Sequence, residues 1–190
     1  MRLIIDMDGV LVDLANPLLA IYNREKGTSI KLEDIIQYDL SIYPGMSDIF
    51  KRPGFFRKLK PFPGALEALR ELHEAGHEIV IASNHMQIHH IWREKYDWLL
   101  DNVKGVTYSP YFTDRKDNLC GDLILDDCPA YLEAFPGITV CMDCPWNRGV
   151  EVDHVDYRVS DMREFVELIK RMEAMKCSAA TPPCSGAVTA

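Results

Sequence analysis

Short, nearly wholly apolar runs recur along this chain with helix-length stretches between them, and that alternation constrains its fold more than any other feature. Residues 2–7 carry Leu3, Ile4 and Ile5, and Ile79-Val80-Ile81-Ala82-Ser83 repeats the pattern, as do residues 105–109, 122–126 and 138–142. Runs so brief and so apolar read as buried strands. Strands covered on both faces belong to parallel sheets, whose crossover segments lay helices over them. The expected class is therefore α/β, a largely parallel sheet flanked by helices.

The intervening segments support this. After Pro61-Phe62-Pro63-Gly64, the residues Ala65, Leu66, Ala68, Leu69 and Leu72 recur at helical spacing, and Gly76 ends the helix before the second strand. A last helix is expected from Asp161, with Glu164 three residues on to complete a cap and Phe165, Val166, Leu168, Ile169 and Met172 as its buried face. Residues 14–60 break the rhythm, with helical segments near 14–26 and 31–36 and an aromatic stretch from Tyr38 to Phe56. They are expected to form a small helical cap inserted after the first strand, leaving 1–13 and 61–176 as the core. From Cys177 to Ala190 the composition turns to Ser, Ala, Thr, Pro and Gly, and a disordered tail is expected there.

A chain of 190 residues suits one domain with a small subdomain. Its net charge of −8 argues against a nucleic-acid polymer as partner, because phosphate backbones are bound by clustered Lys and Arg. No apolar stretch approaches the roughly 18 residues of a membrane span. Arg2, Asp6 and Asp8 interrupt any secretory core at the N-terminus. The expected location is cytoplasmic, with the six cysteines as reduced thiols.

The chemistry concentrates where the predicted strands end. In Asp6-Met7-Asp8-Gly9 the two acids are two residues apart, so in an extended chain they point to the same side. Carboxylates that close repel, which calls for a cation, most simply Mg²⁺ with its preference for carboxylate and substrate oxygens. Ligands of open parallel sheets bind at the carboxyl ends of the strands. Ser83 and Asn84 follow the second strand, Asp126 and Asp127 follow Leu123-Ile124-Leu125, and Lys116 lies ahead of them. Together these residues suit a phosphate ester. Asp6 is the candidate nucleophile, forming an aspartyl-phosphate. Asp8 is the candidate general acid and base. Asp126 or Asp127 would complete the metal shell, while Ser83, backbone amides and Lys116 would meet the phosphoryl oxygens. Each feature alone has a plainer reading, an acidic turn for Asp6 and Asp8, a helix cap for Asp126 and Asp127, a surface ion pair for Lys116.

DMDGV, Ser83, Lys116 and LILDD resemble, in that order, the four motifs of the haloacid dehalogenase superfamily. More narrowly, PGFFRKLKPFPGALEAL (Pro53 to Leu69), Glu94-Lys95-Tyr96, Asp114-Arg115-Lys116 and Asp126-Asp127-Cys128-Pro129 resemble the 5′(3′)-deoxyribonucleotidases over residues 1 to about 170. The resemblance implies a Rossmann-like core with a helical cap and magnesium-dependent hydrolysis of nucleoside monophosphates, preferably deoxy. It implies a metal held by Asp6, the backbone carbonyl of Asp8 and a carboxylate of the Asp126 and Asp127 pair. It adds Lys95 at the phosphate, where Asn84 is a candidate by its place beside Ser83, and Phe55 and Phe56 as aromatics on which a base stacks. Two positions depart from the pattern. Asn84-His85 stands where a second hydroxyl and a proline are usual, and Arg115 adjoins Lys116 with no residue between them.

Other readings stay open at this point. One is a phosphatase of the same superfamily acting on a sugar phosphate or phosphoglycolate. Another is a noncatalytic binding module or a thiol regulator built on Cys141 and Cys144, although that CxxC lacks the second pair of a zinc ribbon. His85 and His89 would share a helical face, and Asn147 and Arg148 lie on a loop that can approach the site. Sugar and base preference, 5′ or 3′ position and oligomeric state, a homodimer among the options, are not fixed by the sequence.

Overall fold

The strands, in chain order, are β1 (Arg2–Asp6), β2 (Val12–Asp13), β3 (Lys60–Pro61), β4 (Glu78–Ser83), β5 (Tyr108–Phe112), β6 (Leu123–Asp126), β7 (Ile138–Met142) and β8 (Tyr157–Val159). The helices are α1 (Ala15–Lys26), α2 (Met46–Phe50), α3 (Ala65–Glu74), α4 (His89–Asn102), α5 (Pro129–Ala134) and α6 (Met162–Ala179). These elements come from a computed structural model that describes residues 1–149 and 155–179.

Six strands form one parallel sheet in the order β5-β4-β1-β6-β7-β8. Side chains alternate across it as the two-residue period of a strand requires. Leu3 and Ile5 of β1 enter one apolar cluster with Leu69 and Leu72 of α3 and Phe165 and Ile169 of α6. Ile4 enters the opposite cluster with Val80, Ile124, Leu132 and Phe135. Leu3, Ile4 and Ile5 are completely buried, each contributing about 1.5–3 kcal/mol of transfer free energy. A one-residue slip of β1 would exchange the two faces.

The sheet order reverses beside β1. The chain winds outward through β4 to β5, returns to the other side of β1 as β6, and winds outward again through β7 to β8. The carboxyl ends of β4, β1 and β6 therefore lie side by side at the switch point, where such sheets bind ligands.

Residues 14–59 leave this core through β2 and return through β3, which pair antiparallel with Val12 opposite Pro61 and Asp13 opposite Lys60. The excursion holds α1, α2 and three single turns of 3₁₀ helix, Leu32–Asp34, Leu40–Ile42 and Phe56–Lys58. The helix expected near 31–36 is thus only a turn.

Other differences have local causes. The strand expected at 105–109 lies at Tyr108–Phe112 and contains Pro110, which is tolerated because β5 is an edge strand paired on one side only. β8 was not anticipated, being three residues long with Tyr157 and Arg158 exposed. The last helix runs to Ala179, past the expected end at 176, because nothing in Cys177-Ser178-Ala179 breaks a helix and the next proline is Pro182. The rest of the expected tail, residues 180–190, lies outside the described residues. At its start the Glu164 N–H donates to Asp161 Oδ1 at 2.8 Å, and Glu164 in return accepts from the Ser160 N–H at 2.8 Å. Among the described residues no helix is long and apolar enough to cross a membrane.

Candidate active site

β1 delivers Asp6 to the sheet rim with its carboxylate buried, and the buried Met7 keeps the next turn tight. The Gly9 backbone has φ +80°, and a Cβ there would stand 2.5 Å from Asp127 Oδ2. Glycine at that position therefore lets the loop after β1 touch the loop after β6. Lys116, in a single turn at Lys116–Asn118, bridges the two loops: its ammonium donates to Asp6 Oδ1 at 2.5 Å and to Asp126 Oδ2 at 2.6 Å. The same group sits 4.5 Å from the centre of the Tyr131 ring. The other Asp126 oxygen accepts the Cys128 N–H at 2.9 Å.

A second ammonium serves Asp8. Lys95 of α4 is fully buried and donates to Asp8 Oδ2, to Ser83 Oγ at 2.9 Å and to the Asn84 carbonyl at 2.5 Å. Its Nζ lies 4.6 Å from the centre of the Phe56 ring, which brings residue 56 of the insert against the core. Asp8 Oδ1 is buried and has no hydrogen-bond partner among the described residues.

A cavity of about 500 Å³ opens between insert and core. Leu18, Phe50 and Phe56 line it from the insert, and Asp8, Lys95, Asp127 and Trp146 from the core. That volume lies within the range of small-ligand sites.

The family model described as "5′ nucleotidase, deoxy (Pyrimidine), cytosolic type C protein" matches residues 1–175. The chain belongs to this family. Membership makes this 5′-nucleotidase-type chain a phosphoric monoester hydrolase. It is 30% identical over 178 residues to a Staphylococcus epidermidis protein provisionally named 5′(3′)-deoxyribonucleotidase, covering 90% of this chain and 97% of that one. It is 30% identical over 145 residues to the human 5′(3′)-deoxyribonucleotidase, cytosolic type, covering 66% of this chain and 70% of the human one. In fold it is similar to the D,D-heptose 1,7-bisphosphate phosphatase from B. bronchiseptica, solved with magnesium and phosphate, with TM-score 0.53 and 15% identity over 90% of this chain and 99% of that one.

The electrostatics of this site leave negative charge in excess, since among the described residues Asp6, Asp8 and Asp126 pair with Lys95 and Lys116 while Asp127 pairs with neither. Oxygens of Asp6, Asp126 and Asp127 all lie within 4.8 Å of one another. Burial pushes the Asp6 carboxyl up to about 7, against the pull of Lys116, and Asp126 and Asp8 push the same way. Asp127 is raised well above the carboxylate range by burial and then by Asp6 and Asp126. Burial works against the Lys116 ammonium, but Asp126 and Asp6 outweigh it and hold the lysine above its ordinary value. An all-oxygen, anionic and incompletely compensated donor set fits a hard divalent cation such as Mg²⁺.

The structure gathers most of the residues singled out from sequence, with changes in detail. The Asp8 carboxylate is outside the three-carboxylate group and lines the cavity instead. Asn84 lines the cavity too, where its amide donates one hydrogen bond to the Tyr131 hydroxyl at 2.9 Å and accepts the Met86 N–H at 2.7 Å. Phe56 reaches the cavity and Phe55 does not. Neighbours on a 3₁₀ turn point about 120° apart, and Phe55 packs edge-on against Phe56 with centroids 5.4 Å apart.

Met86 and Gln87 take left-handed φ values of +51° and +55°, so α4 starts only at His89 and His85 shares no helical face with it. Arg115 turns outward to Asp117. Cys141 and Cys144 are buried, and burial pushes the Cys141 thiol up to about 11. Sequence reasoning missed Tyr131 and Trp146. Their only signal was position, directly after β6 and β7 at the carboxyl edge.

Proposed function

We propose that the chain hydrolyses deoxynucleoside monophosphates to nucleoside and phosphate, with Asp6 as nucleophile and Mg²⁺ as cofactor. The observation that carries this reading is the Asp6, Lys116, Asp126 and Asp127 cluster, of which Asp127 lines, together with Asp8 and Lys95, a cavity whose other side carries Leu18, Leu19 and Phe50 beside Gln37 and Ser47. A sugar phosphate has no flat apolar face to cover the Phe50 side of that cavity, whereas a base does. The names of the relatives support the deoxy preference.

Asp6 attacks phosphorus, and the bond from phosphorus to the ester oxygen breaks. Asp8 faces the cavity with one free oxygen, so it can give its proton to the leaving nucleoside oxygen. Asp8 then takes a proton from the water that attacks the aspartyl-phosphate, which releases phosphate and restores Asp6. Lys116 fixes the direction of the Asp6 carboxylate, and Lys95 with Ser83 orients Asp8. Asp6, Asp126 and Asp127 would hold Mg²⁺, which supplies positive charge to the phosphoryl oxygens when bound. Residues 14–60 act as the cap that selects the base. A cytoplasmic location accords with the human relative's name and with the free thiols of Cys120, Cys128, Cys141 and Cys144.

A phosphate-release panel tests the proposal. dUMP, dTMP and other mononucleotides are compared with sugar phosphates and phosphoglycolate, with Mg²⁺ and with EDTA. Mononucleotides should turn over best, only with Mg²⁺, and not in Asp6→Asn. Faster release from sugar phosphates would overturn the substrate assignment, and turnover by Asp6→Asn would overturn the nucleophile.

A further inference from the structure

Asp127 is held differently from the other acids of the cluster. Asp6 and Asp126 accept hydrogen bonds from Lys116, whereas among the described residues Asp127 accepts none from either lysine. Its carboxylate Oδ2 accepts from the Trp146 indole N–H at 3.0 Å. The main-chain carbonyl of Asp127 accepts from Asn147 Nδ2 at 2.8 Å. Asn147 is completely buried and saturated: Nδ2 also reaches the Met142 carbonyl at 2.8 Å, and Oδ1 accepts from the Cys144 N–H at 3.1 Å and from Arg158 at 2.7 Å. Pro145-Trp146-Asn147 is thus a rigid turn anchored to the end of β7. A Cβ at Gly9 would stand 2.5 Å from the same Asp127 oxygen that the indole holds, so glycine there leaves the carboxylate its place.

The donor type matters. An indole N–H donates one hydrogen bond, accepts none and carries no charge. It fixes a carboxylate's direction without neutralising it, as an ammonium would, so the anion stays available to a cation. Trp146 lines both the 500 Å³ cavity and a second cavity of about 430 Å³.

We propose that Trp146 is a positioning residue for the metal site, its N–H aiming Asp127 at the cation while its ring walls the nucleoside cavity. The inference rests on the metal assignment made above. Hydrogen bonds of this outer kind typically carry about 10–100-fold in metal affinity.

The test uses Trp146→Phe, which keeps an aromatic wall and deletes only the donor, with the exposed Trp92→Phe as control. Mg²⁺ alone is titrated into each by calorimetry, and the three indole N–H resonances of the wild type are followed by nitrogen-15 NMR. Trp146→Phe should bind Mg²⁺ at least about 10-fold more weakly. In the wild type, the indole resonance missing from Trp146→Phe should shift most on adding Mg²⁺, which holds even if the variant folds poorly. Equal Mg²⁺ affinity in a folded Trp146→Phe, or an unmoved Trp146 resonance, would overturn the inference alone. A wild type that binds no Mg²⁺ would overturn the metal assignment with it.

Discussion

Gly9→Ala separates the cost of a backbone conformation from the cost of a displaced carboxylate. Gly9 has φ +80° and Gly64 has φ +77°, so an alanine at either incurs the same left-handed strain of about 1–2 kcal/mol. For a chain of this size that lowers the melting temperature by roughly 2–8 °C. Their surroundings differ. A Cβ at Gly64 meets nothing within 4 Å, while one at Gly9 stands 2.5 Å from Asp127 Oδ2 and 2.9 Å from its Cγ, against 3.4 Å for an ordinary contact. The Asp127 carboxylate must therefore retreat by roughly 1 Å, a misplacement that can cost about 100-fold at a reacting centre. That is about 2.7 kcal/mol of transition-state stabilisation. Thermal melts of both variants and steady-state phosphate release from dUMP at saturating Mg²⁺ make the comparison. Both should lose similar stability, and only Gly9→Ala should lose about 100-fold in kcat/KM. Equal activity in the two variants would refute the requirement for Asp127 in its observed place.

Further outcomes follow from the same geometry. In the metal-free chain the Asp6 carboxyl titrates at about 7 instead of 3.8, so between those values the folded state holds a proton the unfolded state has released. Stability without metal should accordingly fall as pH rises through that window, and the gain in melting temperature from Mg²⁺ over EDTA should grow from about pH 5 to pH 8. Lys116→Met leaves Asp6 and Asp126 buried without their shared cation, and urea unfolding at neutral pH should show a loss of about 3–5 kcal/mol, shrinking at about pH 5 where Asp6 holds its proton.

The parallel sheet and its reacting rim were legible because they rest on local pattern. Ile4 and Ile5 announce a buried strand, and the acids that follow must leave the core where that strand ends. Lys116 was legible from its place ahead of the Asp126 pair, whereas Lys95 became legible only through resemblance, since a lysine's burial between acids is a tertiary fact. What stayed hidden depended on which way one turn points. Phe55 and Phe56 are equal in sequence, yet the 3₁₀ turn sends one to the cavity and the other behind it. The left-handed turn at Met86 and Gln87, which engages the Asn84 side-chain oxygen, has no mark in the sequence. Trp146 lies outside every motif, and its bond to Asp127 arises because β6 and β7 are neighbours in the sheet.

The central claim is that Asp6 takes the phosphoryl group onto its own carboxylate. Borohydride added during turnover of dUMP with Mg²⁺ reduces an acyl phosphate to the alcohol, and peptide mass spectrometry then locates the modified residue. The account predicts homoserine at position 6 and nowhere else, lost when EDTA replaces Mg²⁺. Modification at Asp8, Asp126 or Asp127, or steady turnover with residue 6 unmodified, would contradict it.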